Sequence, residues 1–171
     1  MMLYAIPTRM FRSLLTIPAL LALAGCAALG GPTPMPGDDA AAVLASLPAP
    51  TGEFKADDGG RRIEFARGPF GRQTHMLDID ADGRVVRWEQ VLTEANFFTI
   101  QPGITSDELR RKIGRPSWVW GVRYRDQTVW SYRFENPFCQ AFHVGISPAG
   151  IVEDTSFGPD PRCERSWRAI Q

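Results

Sequence analysis

Apolar residues along this chain keep one of two spacings, and the spacings come in blocks. After Pro116 the period is two: Trp118, Trp120 and Val122, then Trp130, Tyr132 and Phe134, then Phe138, Phe142, Val144 and Ile146. That alternation predicts antiparallel strands, with Ser147-Pro148-Ala149-Gly150 as a turn into Ile151 and Val152. Before Pro116 the period is helical. Leu109 and Ile113 lie four apart and make one apolar stripe. Thr105 stands at N-cap with Glu108 at N3, the spacing of a capping box, and Ile104 is placed to staple against Leu109. Gly114 suits the left-handed C′ position and Pro116 stops the helix. The pattern predicts a helix over 106–113, with a shorter one near 94–99.

The pattern occurs twice. Gly37 and Gly103 stand 66 apart, and at the same offset Val43 meets Leu109, Leu47 meets Ile113 and Pro50 meets Pro116. Gly68-Pro69-Phe70-Gly71 is similar to Asn136-Pro137-Phe138-Cys139 at offset 68, and Gly83 and Val85 match Gly150 and Val152 at offset 67. The first copy has strands near 62–66, 73–79 and 84–90. Its helix, 38–47, is alanine-rich and ends at Pro48 without a glycine. Two copies imply a repeated architecture of helices and antiparallel strands, an α+β protein with one unit over 38–92 and another over 93–163.

The N-terminus reads as an address. Arg9 and Arg12 precede an apolar run over 13–25, shorter than the roughly 20 residues of a spanning helix, so 1–25 reads as a secretory signal. The run ends in Leu23-Ala24-Gly25-Cys26, which resembles a bacterial lipobox and implies acylation of Cys26 after cleavage. Ala27, where enteric inner-membrane lipoproteins carry Asp, points to the outer membrane. Residues 26–37 have no apolar period and read as a tether, and 164–171 as a tail. The 19 basic and 19 acidic residues cancel, and loss of Arg9 and Arg12 leaves the mature chain slightly acidic; no basic excess suggests nucleic acid. With Cys26 lipidated, Cys139 and Cys163 are left to pair in an oxidising compartment.

Ile100-Gln101-Pro102-Gly103-Ile104-Thr105, Glu108-Leu109, Ile113-Gly114-Arg115-Pro116 and Trp130-Ser131-Tyr132 together resemble the SmpA/OmlA, or BamE-like, lipoprotein family. The likeness covers about 93–157 well and 37–92 loosely. It implies two tandem units, each a short helix pair packed on an antiparallel sheet. It also implies an outer-membrane lipoprotein on the periplasmic face, held in the bilayer by acylated Cys26 and acting among envelope proteins such as β-barrel assembly subunits. The assembly subunit carries one such unit. A tandem is similar to the β-lactamase-inhibitory-protein architecture, which leads to an alternative: a tethered binding or inhibitory module for a periplasmic enzyme.

Candidate chemistry is sparse. The run from Asp78 to Glu89 matches the spacing of a calcium loop, with Asp78, Asp80 and Asp82, Gly83 and Glu89. Strand-like flanks on both sides make it a polar hairpin turn instead. His75 and His143 align only at offset 68, out of phase with Leu77–Val144 and Ile79–Ile146 at offset 67, so they do not pair across the repeat. There is no nucleophile with a recognisable base. The expectation is a chain with no catalytic site, metal or cofactor, in which Gly103, Thr105, Glu108, Gly114 and Pro116 serve structure. Trp118, Trp120, Trp130 and Tyr132 are the candidate partner surface, because exposed Trp and Tyr make good anchors.

Overall fold

A computed structural model describes residues 33–163 apart from Asp57 and Pro69. Residues 1–25, which the sequence suggests are a secretory signal, Cys26 and residues 164–171 therefore lie outside the described residues. The first half runs from helix α1 (Ala40–Ser46) through strands β1 (Gly52–Lys55), β2 (Arg61–Ala66), β3 (Thr74–Ile79) and β4 (Val85–Gln90). The second half opens with helices α2 (Glu94–Phe97) and α3 (Ser106–Ile113). Strands β5 (Trp118–Val122), β6 (Gln127–Arg133), β7 (Gln140–Ile146) and β8 (Val152–Pro159) follow. Each half holds one four-stranded antiparallel sheet, ordered as in the chain. The protein is α+β with two such sheets.

The repeat is written in the hydrogen bonds. Gly37 N–H donates to Val85 O, and Gly103 N–H to Val152 O, both at 2.8 Å. Val85 N–H returns to Asp38 O, and Val152 N–H to Ile104 O. Ala40 N–H meets Gly83 O as Ser106 N–H meets Gly150 O. Register shifts fall between Asp78 and Ile79 in one sheet and between Gly145 and Ile146 in the other, 67 positions on. In each half the chain before the helix N-cap is stitched to the hairpin between the last two strands. Gly37 (φ +92°) and Gly103 (φ +98°) turn the chain into that contact in a backbone region that side chains disfavour.

The layers alternate helix and sheet. One face of the first sheet, with Ile63, Phe65, Leu77, Ile79 and Val85, packs with Ala40 and with Val43, Leu44 and Leu47 of α1. One face of the second sheet, with Tyr132, Phe134, Phe142, Val144 and Ile146, forms a single core with Phe97, Ile100, Leu109 and Ile113. The end of α3 then seats on the opposite face of the first sheet. A Cβ on Gly114 would lie 2.9 Å from Thr74 Cγ2 and 3.3 Å from Met76 Cε. Fully buried Glu64 accepts the Arg115 N–H at 3.0 Å and pairs with its guanidinium at 3.4 Å. The order of layers is α1, first sheet, α2 with α3, second sheet, within one compact unit.

Several expectations change. Among the described residues the first half has one helix, not a pair, since the chain reaches α1 directly from Thr33–Asp38. The tether reading does not extend to residue 37: Pro34 is buried and Gly37 is bonded to β4. Strand β1 is polar and short, and β8 continues to Pro159 through Glu153, Asp154 and Ser156. Both are edge strands, whose outer residues meet water and so lack an apolar alternation. Gly114 takes φ +80° as foreseen, but its ψ of −165° is extended rather than left-handed helical.

Candidate protein-binding site

The four candidate surface aromatics separate by strand phase. Trp130 and Tyr132 point to the helical side: Trp130 packs against the core, and Tyr132 is fully buried with its hydroxyl donating to Gly114 O at 3.2 Å. Burial also raises the Tyr132 pKa well above its ordinary value. These two residues are corrected from surface to core, because a residue and its neighbour on a strand face opposite ways. Trp118 and Trp120 lie on the other face, away from α2 and α3, beside Pro161 at the start of a helical turn over 161–163.

That face holds an open groove of about 630 Å³, with Trp118, Trp120, Val122, Val129 and His143 among its lining. The edge strand supplies the two indoles, and Trp120 remains 46% exposed. Trp118 is fixed from below by the Arg133 guanidinium, 4.4 Å from its ring centre. Arg133 is itself held by a two-pronged pair with Asp160, at 2.8 and 3.1 Å, both residues buried. A charge pair of this geometry fixes position and contributes orientation more than net stability.

A hydrogen-bonded line crosses the floor. Trp120 Nε1–H donates to Ser131 Oγ at 3.1 Å, and Ser131 Oγ lies 2.8 Å from His143 Nδ1. An indole only donates, so the Ser131 oxygen accepts it. Directing the Ser131 proton to Nδ1 leaves the His143 Nε2 hydrogen on the groove side. Burial lowers the His143 pKa from its ordinary value, opposed by Asp160. Gly158 makes room for it: a Cβ there would lie 2.9 Å from His143 Nε2. The line anchors the Trp120 ring.

The structural residues stand where the sequence places them. Thr105 and Glu108 form the capping box, with Glu108 Oε2 accepting the Thr105 N–H at 2.8 Å. Cys139 and Cys163 are bonded, with Cα atoms 6.1 Å apart across 24 residues. Asp78 pairs with Arg62 and Arg87, while Asp80 Oδ1 accepts the N–H groups of Asp82 and Arg84. The acidic stretch is thus a hairpin between β3 and β4. His75 stacks on Trp88 at 4.8 Å in the first half, remote in register from His143. Sequence reading missed the Arg133–Asp160 pair, and the period-two placement of Arg133 beside Ser131 was the one signal for it.

No protein-family model matches this chain, and no curated protein matches it. Among solved structures, a DUF4309 family protein (YjgB) from Bacillus subtilis aligns over 70% of this chain and 77% of its own, at 12% identity and a TM-score of 0.29. A likeness at that level carries no argument about fold or function.

Proposed function

We propose that this chain is a non-catalytic lipoprotein of the outer membrane, facing the periplasm, that acts by protein–protein contact in envelope integrity or β-barrel protein assembly. In this reading each half is a BamE-like unit, the first reduced to one helix, and acylated Cys26 holds the chain in the bilayer. Two acyl signals anchor where one does not, since each buried methylene contributes about 0.8 kcal/mol. The observation that carries the reading is the open groove on the outer face of the second sheet, which α2 and α3 leave free among the described residues. Rigid aromatic anchors, set by Arg133 and Ser131, stand in an open groove. Chemical crosslinking in the native envelope, with adducts identified by mass spectrometry, tests it. Barrel-assembly subunits among the adducts support the reading; a Cys26→Ala variant that stays in the membrane fraction refutes the anchor.

A second reading is a tethered inhibitory module for a periplasmic enzyme. The placement of Trp118 and Trp120 on a sheet face rather than on a helix favours it, because a flat aromatic face suits a folded partner. Capture of one soluble periplasmic enzyme, inhibited on binding, would select this alternative.

A further inference from the structure

The repeat supplies a template for what belongs on the open face. Inside the molecule, the corresponding face of the first sheet is covered by the next unit's α3. Across that junction Arg62, Arg87 and Glu89 of the sheet meet Glu108, Arg111 and Lys112 of the helical layer around a polar cleft of about 460 Å³. The junction is charge against charge.

The two free ends of the layer order carry the same positions with different chemistry. At offset 67, Arg62, Arg87 and Glu89 become Val129, Asp154 and Ser156 on the open face of the second sheet, flanked by Trp118 and Trp120. At offset 66, Glu108, Arg111 and Lys112 become Ala42, Ala45 and Ser46, all exposed on the outer side of α1. The helix side has exchanged all three charges for small groups, while the sheet side has exchanged Arg62 for Val129 and Glu89 for Ser156 and keeps one carboxylate, Asp154, which pairs with Arg125 at 3.6 Å. With Asp154 already paired to Arg125, an alanine face can lie against the Trp118 and Trp120 side of the groove without taking a charged side chain out of water. Among the described residues, one end of the layer order is an open sheet face, and the other is a helix with Ala42, Ala45 and Ser46 on its outer side.

We propose that the open face of the second sheet takes α1 of a second copy of this chain, continuing the helix-on-sheet order head to tail. The proposal rests on the reading that this face binds protein, and it names the occupant. The contact is heterologous, each copy using a different surface, so it leaves one free sheet and one free helix on every assembly and permits chains longer than two. Trp118 and Trp120 become the rim against which Ala42 and Ala45 lie.

The test places a photo-crosslinking phenylalanine derivative at Trp120 in the full-length protein in its native envelope. The expected result is a homotypic adduct whose crosslinked peptide contains residues 40–47. Ala45→Arg, at an exposed position where arginine is a good helix former, should lower that adduct about tenfold or more and leave the thermal midpoint unchanged. Adducts with other proteins alone would overturn the self-association and leave the protein-binding reading standing. The absence of any adduct from folded, membrane-bound protein would overturn both. Homotypic adducts that persist at full yield in the Ala45→Arg variant would place the second copy elsewhere and overturn the assignment of α1.

Discussion

At the residue scale, Gly114 joins the two halves. Its φ of +80° with ψ of −165° is a region open in practice to glycine alone, and its missing side chain lets the chain settle on Thr74, Glu64 and Met76. Gly114→Ala should cost about 1–3 kcal/mol, plus the displacement of Thr74, and urea denaturation would read it as a lower midpoint with an unchanged slope. The titrating groups set a sign for pH. His75 is held low by burial and then by Arg67, and His143 by burial. The unfolded chain therefore takes up protons first as pH falls through the ordinary value of 6.5, and stability declines on the acid side. Glu108 acts in the same direction lower down. The Thr105 N–H, then its hydroxyl, hold that carboxyl below 4.5, so its contribution is present above 4.5 and lost as pH falls through the folded value. The melting temperature should be lower at about pH 5.5 than at about pH 7.5. The His75→Gln, His143→Gln double variant should remove that step and keep the decline below 4.5. A flat profile in the native chain would contradict the assignment.

At the element scale, α3 carries more than its length suggests. It has eight residues, too few to persist alone, and it is held by its caps and by burial of Leu109 and Ile113. Thr105→Ala removes the hydroxyl that accepts the Glu108 N–H, at an expected cost of about 1 kcal/mol. Because α3 lies between the sheets, that loss should appear as one cooperative shift in a melt followed at the tryptophans. A separate early transition confined to one half would show that the halves unfold independently. The capping box, the apolar pair and the stop were legible in the sequence because they are local. The first half's single helix was not, since Ala40–Ser46 matches the second half's α3 and nothing local says whether a partner helix precedes it.

At the scale of the whole molecule, the disulfide closes the second sheet. Cys139 lies before β7 and Cys163 after β8, so their bond pins the free edge strand against the sheet. Constraining 24 residues in the unfolded chain contributes about 3 kcal/mol in the chain-entropy account. Cys139→Ser with Cys163→Ser should lower the free energy of unfolding by about that amount, measured in denaturant against the oxidised protein. Addition of reductant to the native chain should reproduce the loss and leave the double variant unaffected.

The sequence alone determined the repeat, the period-two strands, the capped helix, the cysteine pair and the phase that keeps His75 and His143 apart. Each depends on residues close in the chain or on a fixed offset, where periodicity and turn chemistry suffice. Only the tertiary structure decided which of four aromatics meet water. Trp118 and Trp120 share one face and Trp130 and Tyr132 the other, yet alternation by itself does not say which face a helix will cover. That choice is made by α2 and α3, whose apolar sides pack on one face of the second sheet while the end of α3 rests on the first. Burial is a property of packed layers, and strand periodicity reports only that two faces differ.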